Sequence, residues 1–108
     1  MLWIGGDGGV CYYSYRHRRI FELPRSGALR RIHGLYEDRD GVLWAASVGY
    51  GVWRIELSGS ADAPVAANVE PVELGLKARS RNFFFSVCEE SDSTLWFCNH
   101  GIGVVHYD

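Results

Sequence analysis

The sequence has no glutamine, a single lysine and no long apolar run. No stretch approaches the ~18 consecutive apolar residues of a membrane span, which excludes a membrane-spanning segment. The formal net charge of -2 argues against nucleic acid as a partner, because proteins that bind polyanions carry basic surfaces. The start, residues 1–6, lacks the basic and apolar regions of a signal peptide. At 108 residues, the chain is one domain at most, or part of one.

Cysteine is also scarce, with Cys11, Cys88 and Cys98 alone. Their spacing matches neither a disulfide framework nor a zinc signature, so no metal site and no cofactor are predicted. Cys88 and Cys98 flank a predicted hairpin, where a disulfide requires that the strand register places them opposite each other. The sequence leaves open whether these two are bonded or are packed free thiols.

A repeated pattern runs along the whole chain. A Leu-Trp pair begins at Leu2, Leu43 and Leu95, and each pair is followed by a glycine-rich step and a valine. Acidic stretches precede the second and third pairs, at residues 37–41 and 89–93. The pairs lie 41 and 52 residues apart. A period of about 40–45 residues with tryptophan and glycine marks is typical of the four-stranded blade of a β-propeller.

The alternation of side chains predicts ten strands, named A to D from the propeller axis outward. In the first C strand, for example, an apolar face with Cys11 and Tyr13 alternates with a mixed face. The first blade has strands B, C and D at 2–5, 10–15 and 20–23; the second has A to D at 32–37, 42–46, 52–57 and 69–74; the third has A, B and C at 83–88, 94–98 and 104–107. The predicted fold class is therefore an all-β β-propeller fragment of about two and a half four-stranded antiparallel blades.

Three segments follow from this prediction: a partial first blade at 1–31, a second blade at 32–82 and a partial third blade at 83–108. The surplus residues of the second unit, 58–68, are small and polar and are interpreted as a loop insertion. Propellers close with 4–8 blades, and an unclosed row of blades leaves apolar faces bare. We therefore expect a piece of a longer propeller or a truncated product, with self-association into a ring as the lesser alternative.

The turn residues have structural interpretations beside functional ones. Residues 38–41, Asp-Arg-Asp-Gly, predict a type I turn in which the Asp38 carboxylate accepts backbone N–H groups, with calcium binding as the alternative. The Gly-x-Gly steps at 49–51 and 101–103 precede strands and not helices, which favours tight crossings over phosphate loops. The recurrent Trp3, Trp44 and Trp96 predict packing between blades, with sugar stacking as the alternative.

At this point the residues resemble a known family. Leu-Trp-Ile-Gly followed by Asp-Gly-Gly-Val, and Glu-Asp-Arg-Asp-Gly-Val-Leu-Trp before the next unit, are similar to the two-component regulator propeller repeat. The resemblance covers nearly all of residues 2–108 apart from 58–68, and it is strongest at 37–44. The third copy departs from the pattern, with Ser93 in place of the favoured glycine and Phe97-Cys98 in place of Ile-Gly.

The resemblance implies a non-catalytic, ligand-sensing propeller segment of a bacterial two-component sensor with a histidine kinase, periplasmic or extracytoplasmic in the parent protein. The implied partners are the remaining blades and the downstream signalling modules of the parent chain, which this chain does not contain, and a carbohydrate or another small anionic ligand. Two alternatives stay open: a fragment of a propeller enzyme, streptogramin-lyase-like or polysaccharide-processing, and a protein-binding propeller scaffold. Fold alone does not decide among them.

Charge separates the two ends of the predicted blades. The D–A and B–C connections share one end, because strands of a meander alternate in direction, and this end collects basic residues. The A–B turns at the other end collect acidic residues. An arginine can hold a carboxylate or sulfate through two parallel hydrogen bonds, so the basic end predicts an anionic ligand. The candidate binding residues are Arg30, Arg31, Tyr50, Arg79, Arg81, Asn82 and His100.

Overall fold

The computed structural model describes residues 1–74, 83–90, 94–99 and 103–107. Across these ranges the chain forms ten strands, and no helix long and apolar enough to cross a membrane is found. The strands are β1 (Leu2–Gly6), β2 (Gly9–Ser14), β3 (Arg19–Glu22), β4 (Ile32–Glu37), β5 (Leu43–Ser47), β6 (Val52–Ser60), β7 (Ala63–Pro71), β8 (Phe84–Glu89), β9 (Leu95–Asn99) and β10 (Gly103–Tyr107).

The strands pair into three antiparallel sheets that follow one another along the chain. The first sheet has the order β1-β2-β3, the second β4-β5-β6-β7 and the third β8-β9-β10. Every strand pairs with its neighbour in sequence, so each sheet is a simple meander. The prediction of an all-β propeller fragment is confirmed by this arrangement. Each sheet draws its strands from one of the three predicted segments.

Two apolar clusters fill the spaces between neighbouring sheets. The cluster between the first and second sheets contains Val10, Leu23, Leu29, Ile32, Leu43, Ala45, Ile55 and Ala66. The cluster between the second and third sheets contains Trp44, Ala46, Val52, Phe84, Leu95 and Phe97. Strand β5 is buried at all five positions, because its side chains enter the two clusters alternately. The second sheet is therefore covered on both faces.

The tryptophans occupy these spaces between sheets as predicted. Trp44 is only 6% exposed and belongs to the second cluster. Trp3 packs against the first cluster and meets Tyr12 edge to face, with ring centroids 5.9 Å apart. Packing between blades is thus confirmed for Trp3 and Trp44, and Trp44 is too buried to serve as an open sugar-stacking platform.

Residues 58–68 differ from the prediction of a loop. Strand β6 continues to Ser60, strand β7 begins at Ala63, and the two pair up to the register Ser60↔Ala63. The surplus of the second unit therefore lengthens a hairpin instead of forming a loop. A tertiary contact favours the hairpin, because the Ala66 N–H donates to the Pro24 carbonyl at 3.0 Å, whereas the exposed Arg16–Asp62 ion pair at 2.6 Å contributes little.

Candidate functional site

Three connections converge at the predicted ligand-binding end. The Arg31 N–H, just before β4, donates to the Asp7 carbonyl in the β1–β2 connection at 3.0 Å. The Val48 N–H, just after β5, donates to the Arg31 carbonyl at 3.0 Å. Arg31 therefore links the β1–β2, β3–β4 and β5–β6 connections. These hydrogen bonds bring the connections of two neighbouring sheets together at one end, as the meander topology requires.

The Arg31 guanidinium lies beside a glycine. A methyl group added to Gly49 would come within 3.9 Å of Arg31 Nη1, and Gly49 has a φ of 102°. Arg31 itself has a φ of 51°, in the left-handed region that non-glycine residues seldom adopt. A residue held in such a conformation by its surroundings is frequently part of a functional site. A methyl group at Gly49 would make only an ordinary contact with the guanidinium, so it is the positive φ that requires glycine at this position.

Tyr50 follows Gly49 in the β5–β6 connection. Its backbone is fixed, since its N–H donates to Ser47 Oγ at 3.1 Å and its carbonyl accepts from Trp53 Nε1 at 3.0 Å. Its ring is 51% exposed. A cleft of about 250 Å³ opens between Tyr50 and the segment Pro71–Leu74. A rigid backbone that presents an exposed ring suits a binding surface better than a core position.

Arg30 behaves differently from its neighbour. Its Nη1 donates to the Gly27 carbonyl and, at 2.8 Å, to the Leu29 carbonyl, so its guanidinium braces the β3–β4 connection. Neither Arg30 nor Arg31 forms an ion pair with an acidic residue of the described ranges. The charge of both side chains is therefore available to an anion at this end, although Arg31 alone has a guanidinium that these hydrogen bonds leave unengaged.

The β3–β4 connection also borders a larger cleft that sequence reasoning did not identify. This cleft of about 680 Å³ lies between the glycine-rich β1–β2 connection and residues 22–27, and Arg25 lines it. Arg25 has a φ of 64°, so two of the arginines in this connection are held in left-handed conformations. The signal in the sequence that could have indicated this cleft was the clustering of arginines in the β3–β4 connection.

Four candidate residues lie outside the described residues: Arg79, Arg81, Asn82 and His100. The described residues that flank 75–82 are both close to the β5–β6 connection. Leu74 lines the cleft beside Tyr50, and Phe83 forms a bridge with Val48. Arg30, Arg31 and Tyr50 are the candidates that the structure describes, and all three lie at the same end of the sheets.

The opposite end is organised by Asp38. Its Oδ1 accepts the Asp40 N–H at 2.9 Å and the Val42 N–H at 3.0 Å, while its Oδ2 accepts Trp44 Nε1 at 2.9 Å. Gly41 has a φ of 83° and donates its N–H to the Asp38 carbonyl at 3.0 Å. The predicted structural turn with a left-handed glycine is confirmed. Since both carboxylate oxygens already accept hydrogen bonds from the protein, the calcium alternative gains no support.

The acidic residues of this end are hydrogen-bond acceptors for the repeated aromatic residues. Asp38 accepts from Trp44, and Glu90 accepts from Trp96 Nε1 at 2.7 Å, so that in both repeats the acid precedes its tryptophan by six residues. Glu37 accepts from Trp3 Nε1 across the space between the first and second sheets at 3.0 Å. Sequence reasoning gave Asp38 a role in its own turn and assigned the other acids to a charged end, but it did not predict the hydrogen bonds to tryptophan, although the six-residue spacing was a readable signal.

A carboxylate also joins the second and third sheets. Tyr36 Oη donates to Glu89 Oε1 at 3.0 Å, and Arg39 Nε lies 3.8 Å from Glu89 Oε2. This hydrogen bond is the main reason that the pKa of Tyr36 is raised, with burial and the negative charges of Glu89 and Asp38 adding to it. Arg39 acts in the opposite direction. The Glu89 side chain is only 6% exposed, so it belongs to the packing and not to an open site.

The cysteines and metal-binding residue types form no site in the part of the chain that the structure describes. Cys11, Cys88 and Cys98 are free thiols. The register places Cys88 opposite Trp96 and Cys98 opposite Ser86, so the two cysteines of the hairpin are not direct partners. Among the described residues, no group of three or more His, Cys, Asp or Glu side chains is arranged to hold a metal ion.

Comparison with known proteins identifies the central part of the chain. The family model described as Two component regulator propeller matches residues 26–49. This segment contains the part of the β3–β4 connection with Arg30 and Arg31, strand β4, the Asp38 turn and strand β5. The predicted resemblance to this repeat family is confirmed for this segment, and the family is a non-catalytic propeller repeat. No curated protein matches the chain.

Proposed function

We propose that the chain is a non-catalytic, ligand-sensing segment of a periplasmic two-component sensor protein, and that its ligand is an anionic saccharide such as a uronate oligosaccharide. The observation that carries this proposal is the Arg31 guanidinium, which lies beside Gly49 where three connections converge. It forms no ion pair with an acidic residue in the ranges described. The family match to residues 26–49 supports the assignment to a sensor propeller.

The two ends of the sheets differ in a way that favours an anion. At the Asp38 end, carboxylates accept hydrogen bonds from tryptophan and tyrosine side chains that belong to the packing between sheets. At the Arg31 end, the exposed Tyr50 follows Gly49, the glycine beside the Arg31 guanidinium, and Arg31 has no carboxylate partner within the described residues. An exposed aromatic ring and a guanidinium in adjoining connections suit a sugar that bears a carboxylate, because aromatic rings contact sugar faces and a guanidinium binds a carboxylate bidentately.

The test is calorimetric titration of the 108-residue chain with trigalacturonate, with neutral maltotriose as the reference sugar. We expect trigalacturonate to bind and the variant Arg30→Ala/Arg31→Ala to lose at least about tenfold in affinity, since a hydrogen bond to a charged group contributes about 1.5–3 kcal/mol and tenfold is about 1.4 kcal/mol. Arg31→Ala alone separates ligand contact from the bracing role of Arg30.

The matched control is Arg16→Ala/Arg18→Ala. It also removes two exposed arginines, and Arg18 has a φ of 56°, close to the 51° of Arg31, so both double variants place alanine in a comparable left-handed position. The control lies in the β2–β3 turn at the opposite end of the first sheet. Affinity unchanged in Arg30→Ala/Arg31→Ala, or lost equally in the control, would overturn the proposal.

A further inference from the structure

Each of the first two sheets has a cleft at the Arg31 end. The first cleft, of about 680 Å³, lies between the β1–β2 connection and residues 22–27. The second cleft, of about 250 Å³, lies between the β5–β6 connection and residues 71–74. Both clefts are therefore formed by the connection after a Leu-Trp strand and by the segment that leaves the last strand of the same sheet.

The same backbone hydrogen bond borders both clefts. The Leu23 N–H donates to the Val10 carbonyl at 3.0 Å, and the Val72 N–H donates to the Val52 carbonyl at 2.9 Å. Val10 and Val52 are the valines that follow the glycine-rich step of the repeat. The two clefts therefore occupy equivalent positions in two copies of the repeat.

The cleft does not depend on a missing neighbour. The second sheet packs on the first sheet through one face and on the third through the other, yet its cleft is open and Pro71 and Glu73 are exposed. The register and the shared hydrogen bond make Glu22 and Pro24 the equivalents of these two residues. We therefore expect this part of the first cleft to stay open when a preceding sheet packs on the first.

The two clefts differ in the side chains that line them. Arg25 stands in the first cleft where Leu74 stands in the second, and Gly8 stands where Tyr50 does. Arg25 is exposed and forms no ion pair with an acidic residue of the described ranges. The first cleft also contains the carboxylate of Glu22, which can accept hydrogen bonds from sugar hydroxyl groups. Its volume lies in the range of about 300–1,000 Å³ that is typical of ligand sites.

The first cleft adjoins the Arg31 site, by which we mean the Arg31 guanidinium beside Gly49. The Arg31 N–H donates to the Asp7 carbonyl at 3.0 Å, and the next residue along the chain, Gly8, lines the first cleft. A methyl group on Gly8 would have no atom within 4 Å, so the surface of the β1–β2 connection is open at this point. A chain of sugars can therefore pass from the Arg31 site over this connection into the first cleft.

We propose that the first cleft is a second carboxylate-binding subsite, so that the ligand is an acidic oligosaccharide with one carboxylate at Arg31 and another at Arg25. This inference rests on the proposed function, because it takes the Arg31 site as the first point of contact. It adds a requirement for length. A single uronate has one carboxylate and can engage one guanidinium bidentately, whereas an oligomer can engage both.

Titration of the 108-residue chain with galacturonate and with trigalacturonate, followed by ligand-observed NMR, tests the second subsite. We expect trigalacturonate to bind at least about tenfold more tightly than galacturonate, because it adds a charged hydrogen-bonding contact. Arg25→Asn should weaken trigalacturonate by at least about tenfold and leave galacturonate unchanged. Arg31→Asn should weaken both sugars. Asparagine is the replacement because Arg25 and Arg31 have φ of 64° and 51°, a region that asparagine adopts readily.

The matched control is Arg18→Asn, in the β2–β3 turn at the opposite end of the first sheet. Arg18 is exposed and has a φ of 56°, so the substitution removes an arginine from a comparable backbone conformation and should change neither affinity. If Arg31→Asn weakens trigalacturonate while Arg25→Asn has no effect, or if Arg25→Asn weakens both sugars equally, the second subsite is overturned and the proposed function is not. Equal losses in Arg18→Asn and Arg25→Asn also overturn the subsite. If neither sugar binds the wild-type chain, both the proposed function and the subsite are overturned.

Discussion

Removal of the Asp38 carboxylate is the most direct test of how the repeat holds its inner strands. Its two oxygens accept three hydrogen bonds, from the N–H groups of Asp40 and Val42 and from the indole N–H of Trp44. The Asp40 N–H is exposed and can be rehydrated, whereas the Val42 N–H is part-buried and Trp44 is 6% exposed. Asp38→Ala therefore leaves two poorly hydrated donors without a partner.

The expected loss can be worked from those two donors. A buried donor left without a partner costs about 1–3 kcal/mol, and the part-buried position of Val42 favours the lower end of that range. Asp38→Ala should therefore lower the free energy of unfolding by about 2–4 kcal/mol. Asp38→Asn should cost about half as much, because its amide oxygen still accepts the backbone N–H groups while its NH₂ group faces the Trp44 N–H.

Urea unfolding monitored by tryptophan fluorescence at one protein concentration measures these losses. The control is Asp40→Ala, which removes an exposed carboxylate from the same turn and leaves the Asp38 hydrogen bonds in place. If Asp38→Ala and Asp40→Ala destabilise the chain equally, the carboxylate does not hold Trp44 and the reasoning is refuted. A change in the slope of the unfolding curve would indicate instead that cooperativity has been lost.

Two further predictions concern the packing between sheets. Trp44→Ala should cost about 3–5 kcal/mol in urea unfolding and Trp96→Ala clearly less, because of these two rings it is Trp44 that fills a space between the described sheets; equal costs would contradict this account. Glu89→Gln should lower the pKa of Tyr36 towards its ordinary value of 10.0, as measured by tyrosinate absorbance against Tyr36→Phe. The raised pKa of Tyr36 contributes stability that is complete below about pH 10 and is lost as pH rises through the folded-state pKa. An unchanged Tyr36 titration in Glu89→Gln would refute the role of the hydrogen bond.

The order of the ten strands could be predicted because the repeat supplies three copies of the same local pattern. Each Leu-Trp pair marks a B strand, and the glycine step after it marks the crossing to the C strand. The bounds of β4 agree at both ends, since the strand lies between a charged connection and the Asp38 turn. A period repeated three times constrains strand identity far more than the propensity of any one segment.

Features that depend on tertiary contacts were not predictable in the same way. Residues 58–68 have the composition of a loop, yet they pair as an extended hairpin in which the Ala66 N–H donates to the Pro24 carbonyl. In β2 the buried face is the mixed one with Tyr12, because that face meets the second sheet, while Tyr13 on the apolar face is only half-buried. Alternation identifies a strand and not which of its faces has a neighbour.

The candidate site was predictable in its location but not in the roles of its residues. The meander topology alone places Arg30, Arg31 and Tyr50 at one end, since strand direction alternates regardless of side chains. That Arg30 donates to its own connection while Arg31 lies beside Gly49 follows from the local backbone, including the left-handed conformation of Arg31. Amino-acid composition does not predict which residues other than glycine adopt a positive φ.

The inner strands pack too closely to leave an open space between the sheets. A methyl group on Gly34 in β4 would lie 2.7 Å from Ser86 Cα and 2.8 Å from the Phe85 carbonyl oxygen, so the second and third sheets touch backbone to backbone there. A methyl group on Gly5 would likewise lie 2.7 Å from the Ile32 side chain. Sheets this close leave no room for a ligand between their inner strands. The connections, which diverge beyond the strand ends, are where open clefts and exposed side chains occur.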